Sequence, residues 1–316
     1  MERTTAKKNK YEIDMCNGTI MDKLISFSLP LMLSGILQLM FNAVDIIVVG
    51  RFSGSQALAA VGSTSALINV FTNLFIGISL GANVLTARFY AAGREKEVSE
   101  TVHTAITLAL VSGIVMALVG LVFSKGALAL MGTPDDVIGL SALYMRIYFL
   151  GMPFFMLYNY GAAILRAVGD TKRPLLFLMI AGVINACLNM VLVIVFKLGV
   201  AGVAIATVIS QMISCVLVLR CLCRSESSYR LRFSELGMKG YYLKQIFSVG
   251  VPAGIQSTVI NFSNVLLQSS VNSFGSTAMA GYTAANNLLG FLYVSVNSIT
   301  QACMSFTSQN YGVGKL

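Results

Sequence analysis

Residues 24–50 form an apolar run that carries one charge, Asp45, and is bounded by Lys23 and Arg51. The run is longer than the roughly 20 residues with which an α-helix crosses a bilayer. A carboxylate in the middle of such a helix costs about 2.5–3.5 kcal/mol on insertion scales, so it must face a polar interior, take up a proton or hold a cation. The run therefore predicts a membrane-spanning helix with a functional acid.

The rest of the chain has the same apolar character. Hydrophobic residues make up 56% of it and charged residues 11%, and the mean hydropathy is +0.78. Every apolar run is too long for the strand of a membrane β-barrel. The sequence predicts an all-α polytopic membrane protein with about eight transmembrane helices, at residues 24–49, 58–86, 101–123, 138–162, 174–196, 200–221, 244–270 and 280–308.

The net charge of +9 is explained by an excess of Lys and Arg on one side of the membrane. Most Lys and Arg residues fall in the tail 1–23 and in alternate loops, which is one side of the bilayer. The positive-inside rule assigns that side to the cytoplasm. We therefore expect a multi-pass protein of the cell (inner or plasma) membrane with a cytoplasmic N-terminus and no nucleic-acid partner.

The sequence shows no arrangement typical of an enzyme or a metalloprotein. The six cysteines lack metal-ligand spacing, and Cys221-x-Cys223 has no second pair or histidine nearby. The one histidine, His103, lies at the start of a span and is expected to be structural. We expect reduced thiols, no catalytic residues, no bound metal and no organic cofactor.

An internal repeat divides the chain. The segments 27–31, 54–59 and 90–94 recur at 247–252, 275–280 and 311–315, at offsets of about 221 residues. An even number of spans separates the copies, so they run the same way through the membrane, as in parallel-repeat transporters. The predicted units are a cytoplasmic tail (1–23), a six-helix N-lobe (24–221), a cytoplasmic linker (222–243) and the first two helices of a C-lobe (244–316). Four further helices of the second copy are expected to be missing, through truncation or an incomplete sequence.

Polar residues recur on the predicted spans at helical spacing. Gln38, Asn42 and Asp45 share one face of the first span. The candidates on other spans are Asn159, Asn185, Asn189, Thr207, Gln256, Asn261 and Asn264. These side chains either form hydrogen bonds between helices, worth about 0.6 kcal/mol each, or line a hydrated cavity around Asp45. Burial makes proton uptake by a carboxyl easier; the alternatives are Na⁺ held by oxygen atoms, or a carboxylate satisfied by neighbours that never titrates.

Three motifs resemble the MATE (multidrug and toxic compound extrusion) family of the MOP flippase superfamily. They are the Gln38-x-x-x-Asn42-x-x-Asp45 face, the run Arg166–Pro174 (RAVGDTKRP), and Asn185-x-x-x-Asn189 followed by Gly199–Thr207 (GVAGVAIAT). The resemblance covers residues 20–316 and implies two six-helix lobes forming a V. It also implies export of cationic or amphipathic compounds in exchange for H⁺ or Na⁺.

The resemblance assigns roles to single positions. The family's first-helix acid falls on Asp45, its fifth-helix asparagine on Asn185 and its sixth-helix threonine on Thr207, so Na⁺ would be held by these three. An acid that some members carry on the fifth helix falls on Asn189, which is neutral here. That difference favours H⁺ over Na⁺.

The sequence thus predicts a multidrug efflux antiporter. Its partners would be small cationic molecules and the lipid bilayer, and the full-length protein would be monomeric. One alternative is a flippase for a lipid-linked oligosaccharide, which would need basic residues in its cavity, whereas only Arg146 lies near the end of a span. Another alternative is a non-transporting fragment of such a pump.

Overall fold

The structure is a computed structural model that describes residues 11–272 and 276–315. These residues form long α-helices and no strands. The helices are α1 (Ile20–Phe52), α2 (Gly54–Ala91), α3 (Glu95–Leu130), α4 (Asp135–Leu150), α5 (Met152–Ala167), α6 (Lys172–Asn189), α7 (Gly199–Cys223), α8 (Gly240–Asn272) and α9 (Ser276–Gly312). The all-α class is confirmed. Each predicted span lies within one of these helices or a consecutive pair, except 174–196, which continues beyond α6 into a π-helical stretch.

Five of the described helices are long and apolar enough to cross a membrane: α1, α2, α3, α6 with its continuation to Val195, and α7. Helices α4 and α5 make a sixth span if the pair, which bends by 48°, is counted as one. Helices α8 and α9 have 33 and 37 residues, which also exceeds a bilayer-spanning length of about 20 residues, but they are more polar.

Two of the predicted spans are interrupted. The span predicted at 138–162 breaks at Gly151, because Pro153 in the first turn of α5 lacks the N–H that a continuous helix would require. The span predicted at 174–196 changes from α-helix to π-helix at Met190–Val195. There the N–H of Phe196 donates to the Val191 carbonyl over 3.1 Å, a step of five residues.

The corresponding helices of the two repeat copies share an internal proline or a final turn. Helices α1 and α8 each have an internal proline, Pro30 or Pro252. Helices α2 and α9 end in turns with a left-handed glycine, Gly93 at φ 70° and Gly314 at φ 72°. In each turn the glycine N–H donates over 3.1 Å to the carbonyl of a tyrosine three residues earlier.

Helices α2 and α8 cross with their backbones in contact. A methyl group at Gly77 would lie 2.2 Å from the Gly254 Cα, and one at Gly81 would lie 2.2 Å from the Ile246 carbonyl oxygen. A methyl group at Gly250 would similarly lie 2.5 Å from the Ile78 Cα. Small residues four positions apart on both helices allow this close approach, as in membrane helix pairs that associate through small-xxx-small motifs.

Candidate functional site

Asp45 lies on α1, close to the place where α1 packs tightly on α6. The ring of Phe41 lies on Gly182, where a methyl group would be only 1.8 Å from a ring carbon. Only glycine leaves room for this contact. Asp45 lies one helical turn after Phe41, and Asn185 and Asn189 lie about one and two turns after Gly182. The close packing therefore places the acid beside both amides.

The three polar side chains form one hydrogen-bonded cluster. Asn189 donates through Nδ2 to Asp45 Oδ1 and, over 3.2 Å, to Asn185 Oδ1. Asn189 is fully buried and Asn185 is 5% exposed, while Asp45 is half-buried. The amide oxygen of Asn189 is buried and accepts no hydrogen bond from any described group. An unsatisfied buried acceptor beside a carboxylate is suited to a proton or a small cation.

Two tyrosines of α4 lie near this cluster, and one of them contacts α7. Tyr144 and Tyr148 are within electrostatic reach of Asp45, and their rings stack with centroids 6.1 Å apart. Tyr148 contacts the side chain of Gln211, whose Oε1 atom is buried and accepts no hydrogen bond from a described group. None of the described Lys or Arg side chains pairs with Asp45.

The other candidates lie apart from this cluster. Thr207 is half-buried and donates to the Val203 carbonyl of its own helix over 2.9 Å, and Asn159 donates to the Phe155 carbonyl over 2.8 Å. Both groups are satisfied locally, as is common for polar residues within helices. Neither is hydrogen-bonded to Asp45, Asn185 or Asn189.

The predicted polar face of the first span divides in two. Asp45 turns toward α6, whereas Gln38 and Asn42 are exposed, as is Gln256 of α8. The side chains of Asn261 and Asn264 lie outside the part of the chain that the structure describes. Tyr144 and Tyr148 were not among the residues predicted from the sequence, although their four-residue spacing places both on one helix face. Gln211 shares a helix face with the predicted Thr207.

His103 anchors a loop. Its ring is 4% exposed, Nε2 accepts the N–H of Arg232 over 3.0 Å, and Nδ1 lies 2.6 Å from the Ser99 carbonyl oxygen. Because Nε2 is the acceptor, the proton is on Nδ1, which donates to that carbonyl. The structural role expected for this histidine agrees with the geometry. In the described residues, His, Cys, Asp and Glu form no group of three or more that could hold a metal ion.

Comparison with known sequences shows a family match. The MatE family model matches residues 30–191 and 252–316. The chain is 36% identical over 298 residues to a Bacillus subtilis (strain 168) protein named "Probable multidrug resistance protein YoeA", covering 92% of this chain and 64% of that protein. It is 24% identical to the "FAD transporter" of Shewanella oneidensis, covering 92% of this chain and 65% of that protein. The chain thus spans about two thirds of the length of these relatives.

Solved structures share the fold. One is described as an outward-facing conformation of a multidrug resistance MATE family transporter of the MOP superfamily; it matches with a TM-score of 0.90 at 22% identity, covering 98% of this chain and 69% of that chain. Another is a MOP superfamily transporter from Pyrococcus furiosus, for which a reverse polarity of the binding pocket is said to suggest a different function; its TM-score is 0.90 at 23% identity, with the same coverage.

Proposed function

Because the chain belongs to the MATE family, we propose that it takes part in exporting cationic or amphipathic small molecules across the cell membrane in exchange for H⁺, with Na⁺ as the alternative coupling ion. The relatives named for multidrug resistance support the transport class. The protein needs no cofactor beyond the coupling ion, and it works in the bilayer as a monomer with the tail 1–23 in the cytoplasm.

The proposal divides the chain into two lobes. Residues 24–221 form the N-lobe, residues 222–243 a linker, and residues 244–316 the start of a C-lobe. The internal prolines of α1 and α8 and the matching turns at Gly93 and Gly314 support this division. A transporter of this kind alternates by moving one repeat against the other around a site inside the membrane.

The observation that carries the proposal is the cluster of Asp45, Asn185 and Asn189. Asp45 is a half-buried carboxylate that accepts a hydrogen bond from the Asn189 amide and has no basic partner among the described residues, so a positive ion that neutralises it stabilises the cluster. A proton and a cationic substrate compete for that charge. When Asp45 takes up a proton the attraction for the substrate is lost, and when it loses the proton the attraction returns.

The neutral Asn189 favours H⁺. Asp45 is the only acid of the cluster, and the Thr207 hydroxyl donates to its own helix rather than joining Asp45. For Na⁺, the oxygen ligands on hand are Asp45 Oδ1, Asn185 Oδ1 and the free Asn189 Oδ1. A proton needs only the carboxylate.

The test is Asp45→Asn in membrane vesicles, with ethidium as the cationic probe and an imposed pH gradient. We expect the substitution to abolish ethidium-driven proton movement while leaving the amount of inserted protein unchanged. The matched control is Asp22→Asn, which makes the same change at an exposed position of the same helix. Exchange that persists in Asp45→Asn would refute the coupling role.

Two further arms of this experiment address ion and substrate. Replacing Na⁺ by choline at fixed pH should leave exchange intact, and loss of exchange would assign coupling to Na⁺. Adding FAD tests an anionic substrate, since one relative carries that name. If the unchanged chain moves neither probe, residues 1–316 alone are a non-transporting fragment.

A further inference from the structure

The segment Tyr11–Thr19, here called the strap, lies across the ends of several helices before α1 begins. The N–H of Ile13 donates to the Gly169 carbonyl, in the α5–α6 turn, over 3.3 Å. Gly169 has φ 92°, and a methyl group there would lie 2.4 Å from the Ile13 carbonyl oxygen. This turn therefore needs glycine both for its conformation and for contact with the strap.

Glu12 ties the strap to two further elements. Its two carboxylate oxygens each accept one hydrogen bond of 2.8 Å, from the hydroxyl of Tyr90 at the end of α2 and from that of Tyr229 in the α7–α8 loop. Tyr229 is fully buried. The guanidinium of Arg173 lies over the ring of Tyr11, and the distance from its Cζ to the centre of the ring is 5.2 Å. The strap is thus fixed to the N-lobe and to the loop that follows it.

Met15 inserts between α1 and α9. Its side chain is 2% exposed and packs with Phe27 and Leu31 of α1 and with Ala302 of α9. These four residues form a hydrophobic cluster of their own, separate from the large core of the bundle. The strap therefore contributes the side chain that joins the first helix of one lobe to the second helix of the other.

The end of α9 is bonded to the strap and to the N-lobe. Asn310 donates to the Met15 carbonyl over 3.1 Å, and Lys315 donates to the Cys16 carbonyl over 2.7 Å. Two buried bonds lie on the same helix: Ser305 donates to Asn83 Oδ1 over 3.1 Å and Gln309 donates to the Ala167 carbonyl over 2.7 Å. None of these bonds can persist if α9 moves away from α1, α2 and α5.

We propose that the strap is a clasp that holds the two lobes closed on the face where the N-terminus lies, and that it must release before that face opens. This inference rests on the proposed function, which requires the two faces to open in turn. Contacts made in only one of two states shift the population toward that state by their differential free energy. The clasp therefore sets how often the transporter opens on the N-terminal face.

The test measures how fast a thiol-specific reagent reaches position 305. Ser305 lies on α9, is hydrogen-bonded to Asn83 of α2 and is 1% exposed. All six cysteines are first replaced by serine, and Ser305→Cys is then introduced as the one thiol. Membranes of cells that express the full chain are treated with N-ethylmaleimide, and the rate of labelling is measured. Met15→Ala should raise the labelling rate about tenfold or more, because truncating a buried methionine ordinarily costs more free energy than a tenfold change in an equilibrium requires. The matched control is Met21→Ala, in the first turn of α1, where the side chain is 67% exposed.

Lys315→Ala provides a second variant that cannot fail through a damaged core, because Lys315 is exposed. It removes the bonds to Cys16 and Asn17, and should raise labelling about twofold to fivefold, as expected for an exposed charged contact. Labelling that stays at the control rate in both variants would overturn the clasp. The readout needs neither drug nor proton gradient, so a failed clasp is distinguishable from a failed coupling role for Asp45.

Discussion

The contact between α2 and α8 leads to a prediction whose size follows from the distances. In Gly81→Ala the new methyl carbon would lie 2.2 Å from the Ile246 carbonyl oxygen and 3.0 Å from the Gly250 nitrogen. Ordinary contacts of a methyl group begin near 3.4 Å, so the two helices must separate by about 1 Å. Both neighbours are backbone atoms, and no side chain can rotate to relieve the overlap.

The free energy of the Gly81→Ala substitution has two opposing contributions. Overpacking in a close contact costs about 1–3 kcal/mol, and the upper part of that range, about 2–3 kcal/mol, applies where backbones must move. Alanine recovers up to about 1 kcal/mol through its better helix propensity. The net effect of Gly81→Ala is a loss of about 1–2 kcal/mol, together with weaker association of α8 with α2.

The midpoint of thermal unfolding in detergent measures the loss of stability. The rate at which trypsin cuts α8 measures the weaker association of α8 with α2. Gly62→Ala is the control, since it lies on the same helix and a methyl group there meets nothing within 4 Å; it should keep the unfolding midpoint or raise it. The reasoning is refuted if both variants unfold at the same temperature.

Three further predictions concern the ion site and the α7–α8 loop. Asn189→Ala removes the amide that donates to Asp45 and should slow ethidium–proton exchange by about tenfold, a loss typical of a hydrogen bond to a charged group, measured in membrane vesicles. His103→Leu removes the acceptor for the Arg232 N–H, so trypsin should cut the α7–α8 loop faster than in His103→Gln, as gel analysis would show. The hydrogen bond from Arg232 lowers the pKa of Glu235, so Arg232→Ala should raise it in an NMR titration. That interaction is present above the ordinary pKa of glutamate and is lost as the pH falls through the lowered value.

The helices and the importance of Asp45 could be predicted from the sequence because both depend on local composition. A long apolar run must be helical in a bilayer, and a charge within it must have a partner. The partner's identity depends on tertiary packing. Asn189 lies on a distant span, and its contact with Asp45 requires the close approach of Phe41 to Gly182, which helical periodicity does not reveal.

Other features of the structure had weaker signals. Helical periodicity places Gln38, Asn42 and Asp45 on one face, but the structure exposes Gln38 and Asn42 and turns only Asp45 toward α6. A face is defined to within a wide arc, and neighbouring helices decide which part of it is covered. The strap has no helical or strand period, and its role comes from single contacts such as that of Met15 with α1 and α9.

The π-helical stretch Met190–Val195 begins directly after Asn189. Its wide turns hold one residue more than α turns, and the residue that is added shifts everything beyond it by about 100° around the axis. If neighbouring N–H groups exchanged carbonyl acceptors, the extra residue would move by one turn toward Asn189. Asn189 would then rotate about the helix axis while both ends of the span stayed in place, and its contact with the Asp45 carboxylate would change without any loop changing length.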